Sequence, residues 1–354
     1  MEYQKDVTLT YQGRPNTGSL NKTLSNAGDG WNLLGNPYPS AVDWDADPGW
    51  TKTNIGNAIY MWDATNENYT TYLGRSEDVG VAVNVDNSAD ASIIPKMQAF
   101  FVKASGSSPS IASTNEVRVH SSKEIIGNAR VGSDFEYVKI GVEGDDGFSD
   151  ELLIRSNGLA TNGFDPKYDA FKLLSTSGNV PQVYSFNEFQ EPMAINSIRD
   201  ELNNLVIPLG FESQQVGEFT FNLKDKNLVG TELVLVDKKE GKTTNLLTET
   251  YTFFYSGFAA DRFELHFSST VTGLPFSKNG IALYTLEDGF LVKSSEPATL
   301  QLRVLDLKGS FLTSIYQELS SNESLTLRPD LPAGIYLIDG LIGEETVRSK
   351  IFIK

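Results

Sequence analysis

The sequence has no cysteine and only two histidines among 354 residues. Without cysteine there is neither a disulfide scaffold nor a thiol nucleophile. Two histidines far apart, His120 and His266, are too few for a zinc centre. No apolar run approaches the roughly eighteen residues needed to span a bilayer. Basic residues are scarce: 29 Lys and Arg face 46 Asp and Glu, for a formal charge of −17. That deficit excludes the basic stripe by which proteins displace counterions from nucleic acid, and it disfavours adsorption on anionic membranes. It suits a soluble, extracellular surface. A phosphate-binding P-loop, a G-x-G-x-x-G turn and a G-x-S-x-G nucleophile elbow are all missing. A secretory leader is missing too, since Met1 to Asp6 is polar and Val7 to Tyr11 alternates like a strand. The chain is therefore expected to begin inside a longer protein.

What is present is period-two patterning, interrupted by Gly, Asn, Asp and Pro. At this length two or three domains are expected, and the strands group into three: 1–113, 114–270 and 271–354. The first holds all four tryptophans, with strands at Ala58 to Trp62, Tyr69 to Leu73 and Ile94 to Val102. Gly106 to Ser113 reads as a serine-rich linker. The second offers eight strands: Glu116 to His120, Tyr137 to Val142, Glu151 to Arg155, Val183 to Phe186, Leu205 to Leu209, Glu218 to Leu223, Leu233 to Asp237 and Arg262 to Phe267. Asp165 to Leu174 reads either as one short helical turn, where Asp165 can cap and Pro166 occupies the first turn, or as a compact loop. In the third, Leu300, Leu302 and Val304 share one face, and Val347, Ser349, Ile351 and Ile353 share another. The fold class is all-β, with tandem jelly-roll-like or Ig-like sandwiches ending in an Ig-like one.

Three segments at the C-terminal end, Val304 to Ser310 (VLDLKGS), Pro332 to Gly340 (PAGIYLIDG) and Val347 to Lys354 (VRSKIFIK), resemble the C-terminal sorting domain of Bacteroidetes proteins exported by the type IX secretion system. The resemblance implies that Asp306, Gly309, Pro332, Gly334, Tyr336, Lys350 and Lys354 belong to a sorting signal. Its partners would be the type IX translocon and a sortase, and its destination the medium or the outer cell surface. Lysines on an edge strand also guard against edge-to-edge aggregation without any signalling role. The phrases GWNLLGNPYPS and IPKMQAFFV resemble a β module of Bacteroidetes surface proteins, and GFDPKYDAFKL, PQVYSF, MAINSI and RFELHF resemble a second module that accompanies type IX cargo.

The chemistry-bearing residues are few. Alternation places His120 and His266 on outward faces. Asp43, Asp45 and Asp47 alternate before Pro48 and Gly49, a calcium-loop pattern that departs from the EF-hand in its glycine position and in having Asn54 at the twelfth place. The alternative is a solvated acidic turn, and a second one runs through Asp145, Asp146, Asp150 and Glu151. Trp44 and Trp50 flank the first turn and are either a candidate sugar platform or part of the core, whereas Trp31 and Trp62, in strand context, are expected in the core. The expected function is non-catalytic, with export by the last domain and structural, adhesive or carbohydrate-binding roles for the other two. Partners would include a glycan or a host-surface ligand, and no cofactor is expected apart from calcium. The rival reading is a glycan hydrolase working through two carboxylates, or an accessory tail to one.

Overall fold

The computed structural model describes residues 10, 12–75, 80–85, 91–120, 135–199, 202, 205–228, 231–257, 262–269, 276–278, 281–286, 289–294, 296–320, 323–343 and 345–353. Its regular elements are strands, with a single 3-10 turn at Asn115–Val117. The all-β expectation holds. The chain divides into two units, 1–64 with 69–131, and 65–68 with 132–354. The strand read from Val7 to Tyr11 lies outside the described residues, apart from Thr10.

The first unit contains β1 (Leu20–Thr23), β2 (Trp31–Gly35), β3 (Ala41–Asp43), β4 (Trp50–Thr53), β5 (Ala58–Asp63), β6 (Asn68–Leu73, whose first residue groups with the second unit), β7 (Val81–Val83), β8 (Ile93–Ile94), β9 (Ala99–Lys103), β10 (Ser110–Ser113) and β11 (Arg118–Val119). They form three sheets, ordered β1-β10-β4, β11-β3-β8 and β2-β9-β5-β6-β7. Alternation divides the five-stranded sheet: Ile59, Met61, Tyr72, Ala82, Phe100 and Val102 enter a core with Val42 and Trp44. The serine-rich stretch read as a linker is instead the central strand of a sheet, because Ser110–Ser113 pairs with both β1 and β4. Its one large apolar residue, Ile111, supplies the buried anchor. Beyond it, Arg118–Val119 pairs with β3 and so belongs to this first unit.

The second unit opens with β12 (Tyr137–Gly144), β13 (Ser149–Ser156), β14 (Ala170–Phe171), β15 (Gln182–Phe186), β16 (Pro192–Ile198), β17 (Val206–Glu212), β18 (Gly217–Asn227), β19 (Thr231–Asp237), β20 (Lys242–Asn245), β21 (Tyr251–Tyr255) and β22 (Phe263–Ser269). These form one large sheet, β20-β19-β22-β17-β15-β16-β13-β12-β18-β21, with β14 attached to β16. The two end strands follow one another in sequence, which makes the sheet nearly a closed barrel. It is antiparallel except where β13 and β16 run parallel. Phe211 sits among Phe219, Phe253 and Tyr255 at centroid distances of 5.1, 5.0 and 5.0 Å, all edge-on.

Of the two readings of Asp165 to Leu174 the compact loop holds, followed by a short strand. Asp165 does cap a turn, accepting from the Lys167 N–H at 3.0 Å, but Ala170–Phe171 then pairs with β16. A sheet partner wins over one isolated helical turn.

The same unit ends in β23 (Phe276–Lys278), β24 (Ile281–Leu286), β25 (Gly289–Ser294), β26 (Ala298–Leu305), β27 (Phe311–Leu319), β28 (Glu323–Leu327), β29 (Gly334–Ile342) and β30 (Glu345–Ile353). Two four-stranded sheets, β23-β24-β25-β28 and β27-β26-β29-β30, share one core. Leu300, Leu302, Val304, Val347 and Ile351 point into it, as their alternation requires.

Candidate functional site

The acidic turn after β3 is the polar centre of the first unit. Asp43 Oδ1 accepts the Asp45 N–H at 3.0 Å, a local Asx turn. Asp45 then points inward: it accepts from the Tyr72 hydroxyl and from the Arg75 N–H at 2.8 Å, and the Arg75 guanidinium lies 3.7 Å away. Burial raises its carboxyl above the usual range, against the opposing bond from Tyr72. Asp47 stays exposed. The three carboxylates are thus not gathered about a common point, and among the described residues no group of three or more His, Asp or Glu is placed to hold a metal ion.

Trp44 is fully buried, and its indole Nε1 donates to Asn57 O at 2.9 Å. An indole without exposed surface cannot serve as a sugar platform, so of the two readings of Trp44 the core one holds. Trp50 is half-buried, tilted against Trp44 at 5.2 Å, and donates to Asp43 O at 2.8 Å. Between these groups lies Lys52, which sequence reading missed. Its Nζ stands 3.7 Å from the centroid of a Trp44 ring and donates to Asn57 Oδ1 at 2.9 Å and to Trp44 O at 3.2 Å. Asn57 is held in turn, since its Nδ2 donates to Gly74 O at 2.7 Å and Arg75 O at 3.0 Å. A Cβ on Gly74 would approach Trp44 Cδ1 to 2.8 Å and Asp45 Oδ1 to 2.9 Å, so only glycine lets the backbone close over this cluster.

Trp31 and Trp62, expected in the core, are half-buried on the other face of the five-stranded sheet. Trp31 meets Tyr60 edge-on at 4.8 Å, and Trp62 meets Tyr69 at 5.1 Å. Leu33 on the same face is 61% exposed, and a Cβ on Gly35 would meet nothing within 4 Å. The pairings Leu33↔Phe101 and Tyr60↔Phe101 put Gly35, Ala99 and Trp62 on this face. The signal was the alternation Trp31, Leu33, Gly35 read with Tyr60, Trp62.

The residues of the sorting resemblance occupy turns and an edge. Asp306 Oδ1 accepts the N–H groups of Lys308 and Ser310, both at 2.8 Å, and closes the β26–β27 hairpin with Gly309 at φ +85°. Those bonds hold its carboxyl below the ordinary range. Pro332 and Gly334 lead into β29, where the Tyr336 hydroxyl donates to Pro332 O at 2.7 Å. Lys350 is exposed on β30, an edge strand. Lys354 lies outside the described residues.

In the second unit, Asp169 is 1% exposed and accepts N–H bonds from Ser197 and Asp165, each at 2.7 Å. Burial pushes its carboxyl up to about 7. A folded value above the unfolded one favours the protonated folded state, so this contribution is complete below about pH 4 and is lost as pH rises toward 7. Relative to Asp169→Asn, the wild type is expected to lose roughly 4 kcal/mol between about pH 4 and about pH 8 in urea unfolding. The histidines are unremarkable: His120 is exposed, and His266 Nε2 lies 3.0 Å from Glu264 Oε2. Among the described residues no helix is long and apolar enough to cross a membrane.

No curated protein and no solved structure matches the chain. The family described as Domain of unknown function (DUF8693) matches residues 1–267, three quarters of the sequence, and the chain belongs to that family.

Proposed function

We propose that the chain is a non-catalytic region of a secreted or cell-surface protein, whose terminal sandwich directs type IX export and whose preceding β modules act as structural, adhesive or carbohydrate-binding parts. The observation that carries this reading is the terminal sandwich itself. Its strands close two sheets over a core of their own, from Ile281 to Ile353, and begin beyond the family match at 267. Within it, the motif residues serve turns and an exposed edge. Asp306, Gly309 and Tyr336 shape the turns, and Lys350 is presented outward, where a translocon and then a sortase would meet it. Deleting 273–354 from the full-length protein should leave it in the periplasm; a deleted form that still reaches the surface would refute the reading.

For the binding role, the face carrying Trp31, Trp62 and Leu33 takes the place first given to Trp44. Indole and small-residue surface side by side suits the apolar face of a pyranose. Titration across a glycan panel should shift tryptophan fluorescence for at least one sugar, and Trp62→Ala should abolish that shift. No response across the panel would leave these modules structural. For calcium, the oxygens of Asp45 are already engaged by Tyr72 and Arg75. Chelator is therefore expected to leave Tm unchanged, whereas an ion bound only to the folded state would raise it.

A further inference from the structure

Neither the export reading nor the sugar-binding reading uses the Lys52 cluster. It sets an amine against a carboxamide inside a module that has no cysteine. We propose that Lys52 and Asn57 form an intramolecular isopeptide bond, a covalent staple between the end of β4 and the start of β5.

The geometry carries the argument. Lys52 Nζ is 2.9 Å from Asn57 Oδ1, one bond from the Cγ it would attack. Both groups are pinned: the amine by Trp44 O and the Trp44 ring, the carboxamide by the carbonyls of Gly74 and Arg75. Holding two reactants in contact removes the entropic cost of bringing them together.

Electrostatics support the same reading. Burial lowers the Lys52 ammonium to about 8, against the opposing charges of Asp45 and Asp43, so a share of the side chain is free amine near neutral pH. A desolvated lysine beside a carbonyl is an activated nucleophile.

In the reaction the Nζ lone pair forms a bond to Asn57 Cγ, and the Cγ–Nδ2 bond breaks. The proton that Nζ gives up is passed through solvent, which the part-exposed Lys52 and Asn57 reach, to the departing Nδ2, which leaves as ammonia. No oxidant, reductant or further reactant is consumed. The product is a secondary amide that Trp44 shields from water. Such a link gives the module a staple indifferent to redox conditions.

The test is the intact mass of the purified full chain. The expected mass is lower than that of the sequence by one ammonia. Trypsin should fail to cut after Lys52, and tandem spectra should lack backbone fragments between residues 52 and 57. Lys52→Arg should restore the full mass. A wild-type chain of full mass, with Lys52 cleaved by trypsin and labelled by an amine reagent, would overturn the proposal. So would a loss of ammonia that persists in Lys52→Arg, because it would arise at an asparagine without the lysine. Export of the chain is measured separately and does not depend on either result.

Discussion

Asp150→Ala is expected to destabilise the second unit by about 3–5 kcal/mol. Asp150 is fully buried and forms an ion pair with Lys172, whose side chain is 2% exposed. The same carboxylate accepts the Val183 N–H at 2.7 Å and the Asn68 amide at 2.9 Å. Truncation leaves an ammonium and two N–H donors in the interior with no anion, and the stranded charge costs more than the pair itself contributed. Asp150→Leu combined with Lys172→Met should recover most of the loss, because an apolar pair of similar volume avoids the desolvation of both ions. Urea unfolding of the two variants measures this. Asp146→Ala in the neighbouring exposed turn should change stability by less than about 0.5 kcal/mol. Equal effects at positions 146 and 150 would mean that Asp150 is solvated.

Trp44→Ala is expected to destabilise the first unit by about 3–5 kcal/mol. The indole is among the largest fully buried side chains, packed against Trp50 at 5.2 Å and Phe100 at 5.9 Å. Its removal opens a cavity that strands on both sides cannot fill, and it leaves Asn57 O without the indole donor. Trp44→Phe keeps part of the volume and should cost less. Thermal and urea unfolding provide the measurement. A loss below about 1 kcal/mol would place Trp44 at the surface.

These two residues show where sequence reading succeeded and where it stopped. The alternation of Leu300, Leu302 and Val304, or of Phe263, Leu265 and Phe267, states which face is buried, and those faces are buried. Period two is local, so local reasoning finds it. Asp150 looked like one member of an acidic turn. Its burial depends on Lys172 and Val183, which only the folded sheet brings near. Trp44 beside Asp43 and Asp45 could be read as platform or as core, because the Tyr72, Asn57 and Arg75 groups that enclose the turn come from elsewhere in the chain. Ser110–Ser113 looked like linker for the same reason: its polar composition is weak evidence against a strand flanked on both sides by partners. The motif residues from Asp306 to Tyr336 were legible as turns, since Asx bonds and a positive φ at glycine are written in the sequence.

The central claim is that the terminal sandwich is an address. Its most direct test fuses 273–354 behind a periplasm-directed fluorescent protein in a type IX competent Bacteroidetes strain and follows the reporter. The account predicts that the reporter reaches the surface or the medium, and that this export disappears in a translocon mutant. A reporter held in the periplasm of the competent strain would contradict it, and Lys350 would then be edge protection on a third structural module.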